Sequence, residues 1–523
     1  MRRFSFALLL VLCCFVLGSC VQEEGVEQIS IETLRDKIRG GWAGQMIGVS
    51  YGAPTEFRFR EQIIPVDELP EWSKERLQNA IHQDDLYVEM TFAEVLDAKG
   101  LKATTADFGA MFRDARYSLW HANLAARRAL RRGVPAGQSG EPKYNAHAND
   151  IDFQIESDFI GLMCPGLPVT SNEICWQAGR VMNYGDGIYG GMFVSGMYAA
   201  AYFEKDVRKV VEAGLACIPA ESPYARVIAD VLEWSAAYPD DWQRVWQLIE
   251  ENWNHRDPCP DGALSSFNID AKINGAYIAL GLLYGESDFG RTLEISTRAG
   301  QDSDCNPSNA AGVLGVIHGY EGIPQDWKEG IDEIANEKFS YTKYSFKGIV
   351  ESTEKRVVMA VEAAGGRLED GLLIVKTQKT QPAELQLWDD YGSPVERISV
   401  NDPRWTWTGP WEKITQDSWD NEMPLQTTSE KGASAEVSFE GTGAILVGPY
   451  LPDGGKLDVE LDGEGVGTFD VFSDEEYGKG GESIYHVFGL EAGVHTIRIE
   501  TRGEPFEGSK GSVVTVKDLV VFR

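Results

Sequence analysis

The sequence predicts a chain of two parts, an all-α domain over residues 29–370 followed by an all-β sandwich over residues 371–523. Three observations predict it. From about Ile29 to Ile334, alanine, leucine and glycine dominate and apolar residues recur at helical spacing. After Gly365-Gly366 the period changes to strict alternation of apolar and polar residues. Turn signals then follow one another at short intervals, as a sandwich requires.

The first residues, Met1-Arg2-Arg3, an apolar run from Phe4 to Leu17 and then Gly18-Ser19-Cys20, have the order of a secretory signal over residues 1–19. Leu17-Gly18-Ser19-Cys20 resembles the lipobox of bacterial lipoproteins, which implies acylation of Cys20 and an outer-membrane anchor facing the periplasm or the cell surface. An ordinary signal with an incidental cysteine is the alternative. Residues 20–28 are expected as a linker, and Gln22-Glu23-Glu24 resembles the acidic surface-export signal of Bacteroidetes lipoproteins. No other segment approaches the ~20 consecutive apolar residues that span a bilayer.

The chain carries 48 basic and 81 acidic residues, net −33. Such a field repels nucleic acid and can hold divalent cations. The cysteines after Cys20, namely Cys164, Cys175, Cys217, Cys259 and Cys305, match no zinc spacing and form no disulfide framework beyond one or two incidental bridges. A monomer is expected.

Within the helical part, Leu86, Met90, Ala93 and Leu96 share one helix face after Asp84-Asp85. Ala310, Leu314 and Ile317 do the same after Asp302-Ser303-Asp304, with Pro307 near the start and Gly319 near the end, so each acidic group opens a helix. The stretch Asn149–Gly161 reads as one helix with an acidic and an apolar face, Asp150 and Glu156 being solvated. Asp152 and Asp158 in it are candidate substrate-binding residues. Asn183–Gly190 has the glycines of a turn close to a ligand, which makes Asp186 and Tyr189 candidates there, although a helix cap accounts for Asp186 as well. His121, His147, His255 and His318 are scattered and read as core residues, while His82 borders the first acidic pair.

In the later part, Ala435, Val437 and Phe439, then Leu457, Val459 and Leu461, then Ile497 and Ile499 alternate with polar residues as half-buried antiparallel strands. Asp453-Gly454-Gly455, Asp462-Gly463 and Glu491-Ala492-Gly493 supply the turns. Trp405, Trp407 and Trp411 either stack on sugar rings or seal the sandwich. This part resembles the jelly-roll accessory domains of exported glycan-active enzymes.

The chemistry rests on the acids. Adjacent carboxylates at a helix start serve either as caps for its orphan amides or as cation ligands, because two buried negative charges are costly unless paired. Asp84-Asp85 poses that choice once, and Asp302-Ser303-Asp304 poses it again at a second helix start. If the two starts converge, four carboxylates form the oxygen-rich shell that Mg²⁺ or Mn²⁺ prefers. A third segment, Gly44–Phe57, ends a helix in glycines and presents Glu56.

In chain order, a glycine-rich helix end closing in Pro54-Thr55-Glu56, an Asp84-Asp85 helix start, and Gly300-Gln301-Asp302-Ser303-Asp304 before a small-residue helix resemble the ADP-ribosylglycohydrolase family. Ala311-Gly312, Gly315, Gly322-Ile323-Pro324 and Trp327 fit the family's closing helix, and the resemblance covers roughly residues 30 to 335. It implies an all-helical hydrolase of glycosidic bonds holding two Mg²⁺ or Mn²⁺ ions on Asp84, Asp85, Asp302 and Asp304, flanked by Gln83 and Cys305. It also implies catalytic roles for Asp85, Asp302 and Glu56, the last matching a mobile glutamate near the metals. The chain departs from the family pattern at Gln83 and Cys305, where Thr or Ser is usual, at Leu86, where Thr is usual, and at Gly48-Val49 in place of Gly-Asp. These changes bear on the substrate more than on the fold. A small molecule or extracellular glycan is the expected substrate. The alternative is a non-catalytic glycan-binding surface lipoprotein with a degenerate metal site.

Overall fold

Helix Ile31–Gly52 starts at Ser30, whose hydroxyl accepts from the Thr33 amide, and every residue from Gly40 to Gly52 is buried. A helix buried on all sides needs a neighbour at close range, and glycine allows it. Gly40, Gly44, Gly48 and Gly52 recur every fourth residue, forming one stripe, and that stripe lies on helix Cys305–His318. A Cβ on Gly40 would meet the Gly315 carbonyl oxygen at 2.1 Å, on Gly44 that of Ala311 at 2.1 Å, and on Gly48 that of Pro307 at 2.3 Å. On Gly52 it would meet the Ser303 carbonyl oxygen at 2.0 Å. The backbones touch, and the last contact seats the turn Asp302–Asp304 against the end of the first helix.

The computed structural model describes residues 25–254, 257–417 and 422–523. The expected signal segment, Cys20 and His255 lie outside the described residues. Among the described residues no helix is long and apolar enough to cross a membrane, and Cys164, Cys175, Cys217, Cys259 and Cys305 are all free and buried.

Helices Asp186–Ala201 and Ala271–Gly285 are buried on nearly every residue and form the middle of the helical core. Helix Asp84–Lys99 packs against helices Thr105–Asp114 and Phe346–Ala363, with Leu86, Val88 and Met90 fully buried. The stretch expected as one helix over Asn149–Gly161 is instead two short helices, Asp152–Ile155 and Asp158–Leu162, with Glu156 and Ser157 between them. Nor is it solvated: Asp150 is 0% and Glu156 1% exposed. Partners supplied by the fold explain the difference, since His147 Nδ1 lies 2.7 Å from the Asp150 carboxylate and the Asn123 amide donates to Glu156.

Strand Val26–Ser30, which begins in the stretch expected as a linker, pairs antiparallel with Leu372–Lys376, which pairs in turn with Arg367–Glu369. This small sheet lies on helix Phe346–Ala363.

The later part is built of antiparallel sheets. One runs Glu464–Asp470, Gly455–Leu461, Gly493–Pro505, Ser434–Gly441, Trp405–Thr408; another runs Lys479–Val487, Gly443–Tyr450, Asp518–Phe522, Pro394–Ser399. The expected alternation sets the register, with Val437 opposite Ile497 and Val459 opposite Ile499. Trp405 and Trp407 stack at 5.0 Å and Trp411 meets Trp407 edge-on at 4.9 Å, which closes the sandwich.

Strands Gly443–Tyr450 and Asp518–Phe522 break the alternation, being buried at every position. Ala444, Leu446, Leu519 and Val521 join the sandwich core, whereas Ile445, Val447, Val520 and Phe522 cluster with Ala146 and Ala263 of the helical domain. Two-sided burial explains why both strands read as unbroken apolar runs. Each of these larger side chains contributes about 1.5–3 kcal/mol by leaving water, so the sheets are docked on the helices rather than tethered to them.

Candidate functional site

Where the two domains meet lies a cavity of about 920 Å³. Its helical wall holds Glu56, His82, Gln83, Asp84, Asp85, Asp152, Asp302, Asp304 and Cys305, and its other wall is contributed by Arg397, Met423, Leu425, Gly481 and Lys517 of the sheets. The volume suits a sugar-sized or somewhat larger ligand.

Two helix starts supply the floor. Asp84 and Asp85 open helix Asp84–Lys99, and Asp304 stands immediately before helix Cys305–His318. Neither Gln83 nor Asp304 caps its helix with its side chain, and of the acidic pair only Asp84 turns its carboxylate to the helix-start amides. Asp85, Asp302 and Asp304 are each 2% exposed, and in each Oδ1 has no hydrogen-bond partner. Carboxylate and thiol atoms of Asp85, Asp304 and Cys305 lie within 4.8 Å of one another, as do those of Glu56, Asp302 and Asp304. Cys305 Sγ–H points at Asp85 Oδ2 at 3.5 Å.

Burial and the charges of their neighbours push the carboxyls of Asp85, Asp302 and Asp304 well above the usual carboxylate range. Burial also raises Asp84, against the opposing pull of the helix-start amides. Desolvation, then the charges of Asp304 and Asp84, raise Glu56 well above the usual carboxylate range, at a position open to the cavity. A cluster of buried acids with orphaned oxygens is costly as it stands and is relieved by a divalent cation. The donor set, carboxylates with one amide and one thiol, fits Mg²⁺ or Mn²⁺ on the oxygens.

The Glu56 loop is tied to the same turn. Phe57 N donates to Gln301 O at 2.9 Å, Gln301 N to Phe59 O at 3.0 Å, and the Thr55 and Ser303 hydroxyls meet at 2.8 Å. Phe57 and Gln301 both adopt positive φ, 51° and 53°, a strained backbone of the kind that functional turns store.

The remaining expected residues are distributed differently. Gln83 sits half-buried beside the pair, and its carbonyl accepts from Leu86 N and Tyr87 N. His82 is exposed at the rim, its Nδ1 2.9 Å from Ser340 Oγ. Asp152 lines the cavity while accepting from Ala122 N and Asn123 N, at the start of helix His121–Arg131. Asp158, Asp186 and Tyr189 stand apart from the cavity lining. Asp158 accepts from Asn309 Nδ2 at 2.8 Å, Asp186 accepts from Tyr224 N at 3.2 Å, and the Tyr189 hydroxyl donates to Glu384 O at 2.8 Å.

Sequence reasoning missed two features. Glu89, fully buried and accepting from Phe159 N at 2.8 Å, lies one turn below Asp85; the i, i+4 spacing was a legible signal for it. The wall from the sheets left no local signal, since docking creates it. Arg397 donates to the carbonyls of Pro260 and Ala263 at 2.6 and 2.7 Å, and Lys517 Nζ lies 3.6 Å from Asp261.

The family model described as ADP-ribosylglycohydrolase matches residues 30–362. A protein of Flavonifractor plautii named A type blood alpha-D-galactosamine galactosaminidase is 33% identical over 104 residues, 20% of this chain and 9% of that protein. Among solved structures, an ADP-ribosylglycohydrolase-related protein complex aligns at TM-score 0.35 with 13% identity, covering 63% of this chain and 99% of the other. A CBM36-1 domain of a multidomain xylanase from the hindgut metagenome of Trinervitermes trinervoides aligns at TM-score 0.17 with 13% identity, covering 24% and 94%.

Proposed function

This chain belongs to the ADP-ribosylglycohydrolase family, and from that premise we propose that it is a metal-dependent hydrolase of glycosidic bonds in an extracellular sugar or ribosyl compound. The observation that carries the reading is the cavity floor, where Asp85, Asp302 and Asp304 each present a buried oxygen without a protein partner. Asp84, Asp85, Asp302 and Asp304 would hold the ions, with Gln83 and Cys305 at their flanks. Divalent ions there supply Lewis acidity and a template for sugar hydroxyls. Glu56, exposed to the cavity beside Asp304 and Asp84, would take or return a proton once substrate brings the reacting oxygen within hydrogen-bond reach. Trp120, 43% exposed and part of the cavity lining, carries Lys479 Nζ 3.8 Å over one face of its ring and would meet a sugar ring with its other face. Acylation of Cys20 at an outer membrane would put such a site in contact with extracellular glycans rather than with ADP-ribosylated proteins of the cell interior.

The test is hydrolysis by the metal-loaded chain, with and without EDTA, of ADP-ribosylated protein, O-acetyl-ADP-ribose and a glycan panel that includes galactosamine-terminated chains. Cleavage of one class that EDTA and Asp302→Ala both abolish is the expected result. Leu86, fully buried and without an oxygen to offer, favours the rival of a binding protein with a degenerate site. Ligand binding that survives Asp302→Ala, with no cleavage of any substrate, would establish that rival.

A further inference from the structure

A second group of ligating side chains stands in the wall between the domains and shares no residue with the acidic floor. His147 Nδ1 lies 2.7 Å from Asp150 Oδ2, and His121 Nδ1 lies 3.9 Å from the same oxygen. His147 and Asp150 are 1% and 0% exposed. Asp150 Oδ1 and His121 Nδ1 are buried atoms without a hydrogen-bond partner. Asp150 belongs to an adjoining group as well, with Asp257 and Cys259, all within 4.8 Å.

We propose that His121, His147 and Asp150 form a second metal site, selective for a transition-metal ion of the zinc type. Two imidazoles and a carboxylate are a donor set that suits zinc better than the hard magnesium ion, with a fourth position left for water or another donor. Two ligands of a tetrahedral zinc, each about 2.0–2.1 Å from the ion, lie about 3.3 Å apart. The observed 2.7 and 3.9 Å bracket that separation, and the ligating atoms of all three residues lie within 4.8 Å of one another, so side-chain adjustment without backbone movement converts these contacts into a ligand set.

The other edge of His147 supports the assignment. Its Nε2 faces Glu482 Oε2 at 3.5 Å, and Glu482 comes from strand Lys479–Val487 of the sheets. A metal-bound imidazole commonly gives its second N–H to a carboxylate, which fixes the ring and raises its basicity. Here that carboxylate crosses the domain boundary, so the ion would fasten the sheets to the helices. His121 lines the cavity, which puts the ion at its edge. The competing description is an imidazolium held between Asp150 and Glu482 with no ion.

The experiment uses the full chain, stripped by chelator and then titrated with Co²⁺ or Zn²⁺ in millimolar Mg²⁺ that fills the acidic floor. Metal per chain, the visible absorption of bound Co²⁺ and the thermal midpoint are read together. The expected result is one tightly held ion per chain, with the intense visible bands of four-coordinate cobalt and a raised midpoint. His121→Ala, at a partly exposed position on the cavity wall, should weaken binding at least tenfold and remove the bands. Glu482→Gln should weaken binding by about 10–100-fold, and Asp302→Ala should leave the bands in place. Circular dichroism verifies that each variant is folded. The assignment is overturned if no such ion binds, if folded His121→Ala and Glu482→Gln bind it unchanged, or if Asp302→Ala abolishes the bands, which would put the ion on the acidic floor.

Discussion

The buried acids of the floor make opposite demands with and without a cation, and this gives the residue scale its most direct prediction. Without an ion, Asp304 is held among Asp302, Asp85 and Asp84 at a cost in stability. Asp304→Asn removes one charge from that group. The EDTA-treated variant should therefore be more stable than the parent, by roughly 1–3 kcal/mol, while losing most of the gain that Mg²⁺ or Mn²⁺ confers on the parent. Thermal melts of both proteins, stripped and loaded, check both signs at once. Trp120→Ala should raise KM severalfold and leave kcat nearly unchanged if the ring only holds substrate, which steady-state kinetics will separate. At this scale the sequence was informative where chemistry and position coincide, as in Asp84-Asp85 and Asp302-Ser303-Asp304. It was uninformative where partners come from afar: Asp150 and Glu156 read as surface acids, because nothing local announces that His147 and Asn123 will reach them.

The decisive element is the glycine stripe of helix Ile31–Gly52. Periodicity alone marked a helix, and the glycines marked its end. That three of them abut the backbone of helix Cys305–His318 and the fourth, Gly52, the turn before it follows only from the packing. Gly48→Ala forces its methyl to within 2.3 Å of the Pro307 carbonyl oxygen, so the helices must separate, at a cost of about 1–3 kcal/mol or more. Gly465→Ala, in a strand where an added Cβ meets nothing within 4 Å, should change stability by no more than about 0.5 kcal/mol. Denaturant melts of the two variants measure the contrast. Because Gly52 abuts Ser303 and Asp304, Gly52→Ala should also weaken metal binding, an effect that Gly48→Ala, one turn further from the acids, should show less.

For the whole molecule, docking of the sheets turns an open acidic face into a walled cavity. Ion pairs reinforce the apolar contact of Ile445, Val447, Val520 and Phe522: Arg132 meets Asp470 at 2.7 Å and Asp474 at 3.2 Å, and Arg128 meets Asp470 at 3.2 Å. The hydrogen bond from Arg132 and the charges of Arg128 and Arg132 outweigh burial and hold the Asp470 carboxyl below its ordinary value. A carboxyl whose folded value is depressed stabilises the docked state above the unfolded value of about 3.9. That contribution is lost as pH falls through the lower folded value. Docking should accordingly loosen from about pH 4 downward, and Asp470→Asn should abolish that part of the dependence; proteolysis between the domains as a function of pH reports it. The two-part organisation was legible because the apolar period changes from helical to alternating. The orientation of the sheets was not, since Gly443–Tyr450 and Asp518–Phe522 differ from ordinary core strands only by burial on their second face.

If the acidic floor is a divalent-metal centre, it takes up Mn²⁺ on its carboxylate oxygens. A crystal of the full chain soaked in Mn²⁺ and measured for anomalous scattering tests it most directly. Peaks bound by carboxylate oxygens of Asp84, Asp85, Asp302 and Asp304 are predicted; an ordered floor with no peak among those acids at millimolar Mn²⁺ would contradict it.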